Sequence, residues 1–167
     1  IVALRNVNRW KDEILNNLLD SFLVAIYRES LVVEIIDANE KIVISKETLE
    51  SILNKTQLDD KKKEKALNEY FLLDSSHPEV YVEPICIDNF DGVVEVRVTK
   101  ALPNIKPTKC FSIVRYPYMQ IKSEKVESLI GFSCLVIIEA GDLCKYLIDL
   151  ENIQHTNWSA DDIDDPT

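Results

Sequence analysis

Between Arg9 and Arg28, in RWKDEILNNLLDSFLVAIYR, the apolar residues Ile14, Leu15, Leu18, Leu19, Phe22 and Ile26 recur every three or four positions. Lys11, Asp12, Asn16, Asn17 and Asp20 fill the gaps, so the spacing predicts a helix with one apolar stripe. Asn8 is placed to cap its start, and Asp12 and Glu13 suit the positive end of its dipole. The branched run LVVEII (31–36) then predicts a strand that turns through DANEK and returns as IVI (42–44) in a hairpin. Ser45 is a natural cap for a second helix, 46–54, which buries Leu49, Ile52 and Leu53. TQLDDKKKEK (56–65) is polar throughout and predicts an exposed linker into a third helix, about 64–73, with Leu67, Tyr70 and Phe71 as its apolar face. Lys61, Lys62 and Lys63 lie beside Asp59, Asp60 and Glu64, as a solvated helix start does.

From residue 79 the period switches to alternation. EVYVEPICI (79–87) predicts an edge strand or a bulge, because Pro84 removes a ladder donor from its middle. GVVEVRVTKAL (92–102) alternates cleanly, and Glu95, Arg97 and Thr99 read as its solvated outer face. CFSIVRYPYMQI (110–121) is a strand interrupted by Pro117, and SEKVESL (123–129) is a short polar connection. FSCLVIIEA (132–140) is apolar throughout and belongs in the middle of a sheet, and DLCKYLIDLEN (142–152) is the last helix. These elements predict an α+β domain over 1–158, a single mixed, mostly antiparallel sheet with helices packed mainly on one face. The acidic residues 159–167 read as a tail or linker.

Composition narrows the function classes. A formal charge of −10 repels phosphate backbones, so direct nucleic-acid binding is not expected. No apolar stretch nears the roughly 20 residues of a membrane span, and a cytoplasmic location is expected. Cys86, Cys110, Cys134 and Cys144 have apolar neighbours and no CxxC spacing, which fits buried reduced thiols better than disulfides or a metal site. The chain opens at Ile1 and its one methionine is Met119, so it is expected to be a fragment of a longer protein. None of Gly92, Gly131 and Gly141 forms a phosphate-cradling loop.

Reaction centres are hard to assemble from what is left. Glu95, Arg97 and Lys100, with Asp88 and Asp91 before them, resemble a nuclease strand only if Arg97 were an acid. His77 and His155 have no elbow motif around a serine or cysteine. No catalytic residue and no metal ligand is assigned. In NIKPTKCFSIVR (104–115), Lys106, Lys109 and Arg115 cluster without acids, which suits either an anion or acidic-partner surface or a merely lysine-decorated loop. A self-contained acidic module that binds or inhibits a basic partner is the reading these residues leave open beside any other.

Several stretches, in order, resemble a family. WKDEILNNLLDSFLVAIYRESLVVEI and ISKETLESIL come first, then IVRYPYMQI, FSCLVIIEA and LENIQHTNW, together spanning residues 10 to 158. The order is similar to the second domain of bacterial proteins whose N-terminal ATPase domain is of the gyrase, heat-shock chaperone, histidine kinase and mismatch-repair (GHKL) superfamily, some found among phage-defence genes. Ile153 stands where that family has proline, and Tyr118 where it has glycine, which removes the glycine signal for a special turn. The resemblance implies a non-catalytic, transducer-like middle domain that couples ATP binding in the protein's own N-terminal ATPase domain to dimerisation or to an effector. It implies ATP and Mg in the parent protein, a homodimer, and a γ-phosphate contact from Lys109, with Lys106 second and Arg115 on the strand that follows. Trp158, His155 and Asn157 are expected to clip the chain after the last helix against the sheet.

Overall fold

In the computed structural model, residues 9–37, 40–55, 60–74, 80–100, 107–152, 155, 157 and 158 are described. Helix α1 runs Trp10–Tyr27, followed by the hairpin β1 (Val33–Ile36) and β2 (Lys41–Ile44), then α2 (Lys46–Lys55) and α3 (Asp60–Leu73). Five strands come next: β3 (Tyr81–Cys86), β4 (Val93–Thr99), β5 (Cys110–Arg115), β6 (Met119–Lys125) and β7 (Ser133–Ile138), before α4 (Asp142–Asp149). The fold is α+β with a mostly antiparallel mixed sheet, as the pattern predicts, and the β1–β2 hairpin stands as a separate two-stranded sheet.

The five strands lie in the order β3-β4-β7-β5-β6, with β7 central and β3 at an edge. All pairs are antiparallel except β5 and β7. That exception follows from the connection after β6, which arches over the start of β5 and lays β7 on its far side. One face of the sheet packs under α1 and α3: Leu15, Leu19, Leu23 and Ile26 of α1 and Leu72 of α3 join Val114, Leu135 and Ile137 in the main core. The hairpin and α2 close this core with Ile35, Ile44, Leu49 and Leu53. The other face is covered at one end by α4, where Leu143 and Cys144 meet Val94 and Ile138. Backbone bonds help seat α4: the Asp142 and Leu143 N–H groups donate to the Asp91 carbonyl at 2.7 and 3.3 Å.

Several expectations are corrected. The polar segment from Asp60 to Lys65 is helical and not linker, because Lys, Glu and Ala are strong helix formers whatever their polarity; residues 56–59 lie outside the described residues. The chain reverses at Tyr116–Tyr118, so 110–125 is a hairpin and not one interrupted strand. The Glu95, Arg97 and Thr99 face is not solvated: Arg97 and Thr99 are buried. It faces the helices, where the Arg97 guanidinium donates to the Leu72 and Leu73 carbonyls at 2.9 and 3.0 Å and so caps the end of α3. Glu95 neutralises it and also meets Arg28, the residue after α1, at 3.3 Å. Of the four free cysteines, only Cys144 is buried and Cys86 is exposed, because every residue of edge strand β3 is exposed. Tyr118 adopts φ 75° despite its side chain. Its hydroxyl donates to Glu139 at 2.8 Å and its ring lies under the Arg28 guanidinium, contacts that offset the cost of a left-handed backbone. Asn8, His77, Lys106, Ile153 and the segment 159–167 lie outside the described residues.

Candidate functional site

Strand register makes one end of the helix-facing sheet surface polar. Thr99, Ser133, Cys110 and Lys125 are successive partners across four strands, and Arg97, Leu135, Ser112 and Ser123 form the next row. Above them sits the middle of α3. Its Asn68 accepts from the Ser133 hydroxyl at 2.7 Å, and its Glu69 accepts from the Ser112 hydroxyl at 2.6 Å. All four of these groups are buried, so each needs its partner. Burial pushes the Glu69 carboxyl above its ordinary range, only partly opposed by Lys65 and by the Ser112 hydrogen bond.

Where this polar layer reaches the surface it opens into a cleft of about 430 Å³. Lys61, Lys62, Glu64 and Lys65 of α3 form one wall; Pro107, Thr108, Cys110, Ser123 and Lys125 form the other. Lys65 pairs with Asp20 of α1 at 2.5 Å and lies 3.8 Å from Glu69, and Lys62 lies 3.9 Å from Asp20. This cluster is not legible in the sequence, since Lys125 is 60 or more positions from the helix that faces it. The signal that could have found it was the lysine run at the start of α3, where the helix dipole favours acids.

Lys109 lies on the other side of Thr108. Its backbone has φ 53° and is held from both sides: its N–H donates to Phe132 and its carbonyl accepts from Val126, each at 2.8 Å. These bonds tie the arch between β6 and β7 to the start of β5. The exposed Lys109 ammonium donates to the Ser128 carbonyl at 2.8 Å, within a groove of about 790 Å³ that Lys125, Val126, Glu127 and Leu129 also line. The tip of the arch presents Leu129 and Ile130 to solvent, with Leu129 fully exposed.

Arg115 lies at the opposite end of β5 and on the other face of the sheet. It is buried, and its guanidinium makes a two-pronged pair with the Glu151 carboxylate while donating to the Tyr116 carbonyl at 2.9 Å. Burial raises the Glu151 carboxyl, but hydrogen bonds from Arg115 and His155 outweigh it and hold the group below its ordinary range. Of the expected clip, Trp158 and His155 are engaged with α4 and Glu151, and the Asn157 carbonyl accepts from the Asn152 N–H at 3.0 Å. The Trp158 ring packs against the Leu143 and Cys144 cluster, its indole N–H donates to the Leu147 carbonyl at 2.9 Å, and His155 lies 2.8 Å from Glu151. The structure therefore brings Lys109 to one end of the sheet with four lysines it was not grouped with, and separates it from Arg115.

Glu95 and Arg97, the core of a nuclease-like reading, are engaged with α1 and α3. Among the described residues, no group of three or more His, Cys, Asp or Glu side chains is placed to hold a metal ion, and no helix is long and apolar enough to cross a membrane. No family model, no curated protein and no solved structure matches the chain.

Proposed function

We propose that this chain is a non-catalytic transducer domain of a bacterial GHKL-type ATPase, coupling ATP binding in a neighbouring domain of the same protein to dimerisation or to an effector, with phage defence as the setting. Lys109 carries the reading. It holds a left-handed backbone, a conformation costing a non-glycine residue about 1–3 kcal/mol, at the junction of β5 with the arch. Its ammonium is exposed and bound only to a carbonyl among the contacts described for it. A lysine so placed can exchange Ser128 for the γ-phosphate of ATP held by a domain docked against the Leu129–Ile130 tip, and return when phosphate leaves. The ordered resemblance over residues 10 to 158 supports the same reading. ATP and Mg would belong to the neighbouring domain.

The test is ATP turnover by the full-length protein. Lys109→Ala is expected to lower kcat about tenfold or more with little change in KM, as befits a contact made chiefly in the transition state. Unchanged turnover would remove the assignment. A parent reading frame lacking an upstream ATPase domain would instead favour a self-contained partner-binding module, for which the exposed Leu129 and Ile130 are the natural contact.

A further inference from the structure

We infer that the free edge of β1 is a contact between two copies of this chain, pairing antiparallel with the partner's β1 about a two-fold axis and joining two hairpins into one sheet. Among the described residues the two sheets end in four edges, and three of them are blunted. Along β2, the Val43 carbonyl points away from β1 and accepts from the Thr48 hydroxyl at 2.8 Å. Beside β3, the Glu139 N–H donates to the Val93 carbonyl at 3.0 Å, so Val93 faces β7 and, by alternation, Val94, Val96 and Val98 face β3. Their partners Ile85, Glu83 and Tyr81 turn inward, which leaves Val82, Pro84 and Cys86 toward the free edge, where Pro84 offers no donor. The edge of β6 carries a bulge and the charges of Lys122, Glu124 and Lys125.

β1 has none of these devices. The Asp37 N–H donates to the Glu40 carbonyl at 2.9 Å across the hairpin turn. By alternation Ile35 and Val33 then bond to β2, and the N–H and C=O groups of Glu34 and Ile36 point outward. The outward Val43 carbonyl agrees with the same alternation. These outward groups have no partner among the described residues, and Val32 and Ile36 are 58% and 64% exposed.

Such groups specify a strand as the occupant, and the register selects a second copy. With the axis at Ile35, each Glu34 N–H donates to the partner's Ile36 carbonyl and each Ile36 N–H to the partner's Glu34 carbonyl, which uses every outward group on both strands. Charge agrees. Lys41 lies 2.7 Å from its own Glu34, and in the joined sheet it also stands in line with the partner's Glu34, across Ile36. The shared face then carries equal numbers of lysines and glutamates, which lets chains of formal charge −10 approach at this edge. A contact of this length buries less than the roughly 1,200 Å² of a standard interface, so the dimer is weak by itself and is reinforced wherever a neighbouring domain also dimerises.

The edge carries this contact whether or not the transducer reading holds, and ATP turnover by Lys109→Ala tests that reading separately. Sedimentation equilibrium of this chain, reduced and at concentrations up to millimolar, is expected to show monomer and dimer only, associating more strongly as salt screens the like net charges. Hydrogen exchange is expected to slow at the Glu34 and Ile36 amides as concentration rises. Ile36→Glu sets a carboxylate opposite Lys41 within the hairpin but opposite the partner's Glu34 in the dimer. It should leave the unfolding midpoint unchanged and weaken association about tenfold or more. Adding Glu34→Lys to that variant restores opposite charges across the edge and should recover most of the loss. Leu129→Ser should associate as the parent does. A chain that stays monomeric throughout, association undiminished by Ile36→Glu, no recovery in the double variant, or association lost in Leu129→Ser would each overturn the inference.

Discussion

Removing either partner of the Arg115–Glu151 pair strands the other in a shielded site, because the Glu151 side chain is 0% exposed and that of Arg115 7%. Glu151→Ala and Arg115→Ala are each expected to cost about 3 kcal/mol in urea unfolding, with far less than the sum in the double variant. The pH dependence follows from the lowered Glu151 carboxyl. Its contribution is complete above the ordinary carboxylate range and is lost as pH falls through the depressed value. Residues of this kind were only half legible. His155 and Trp158 stand out by chemistry, but an arginine in an apolar strand gives no sign of whether it faces a ligand or a carboxylate some 36 positions later. Tyr118 was misleading in the opposite sense, since its left-handed backbone has no glycine to announce it and depends on Glu139 and Arg28 from distant elements.

Helices and strands with a strong apolar period were legible, as the central position of β7 and the edge position of β3 illustrate. Faces were not. Along β4 the three valines alternate with Glu95, Arg97 and Thr99, and alternation alone assigns the polar set to water. The structure turns that set toward the helices, because the C-terminal carbonyls of α3 end over the sheet and need a donor. Arg97→Met, which keeps an unbranched apolar stem but not the guanidinium, is therefore expected to destabilise the fold by about 2–3 kcal/mol in denaturant unfolding, by leaving the Leu72 and Leu73 carbonyls buried without their donor. Amide exchange in the last turn of α3 should quicken by more than in α1, which separates lost capping from general weakening. The linker reading failed over 60–65 for a related reason: charge marks exposure, and an exposed helix of lysine and glutamate shows no break in composition where it begins.

At the scale of the whole molecule, polar groups buried under α3 set how stability varies with pH. Glu69 is held protonated by its surroundings to a higher pH than in the unfolded chain. Its contribution is therefore complete below the ordinary carboxylate range and declines as pH rises through the raised value. Glu69→Gln keeps an acceptor for the Ser112 hydroxyl and removes the titration. The variant is expected to lose this decline, so that thermal unfolding midpoints measured from acid to neutral pH differ from the parent's most at neutral pH, in the variant's favour. A parallel pair of curves would show that Glu69 does not titrate in that window.

The seating of α4 has a consequence for what can be changed in this chain. Two main-chain donors and one main-chain acceptor hold its start, and they come this close because a Cβ is missing at 141, where one would lie 2.4 Å from the Asp91 oxygen and 2.8 Å from the Gly92 Cα. Outward side chains of α4, such as Lys145, can be exchanged or labelled without disturbing that grip. A single methyl group at position 141 pries the helix off, and with it go the lid over Val94 and Ile138 and the counter-charge of Arg115.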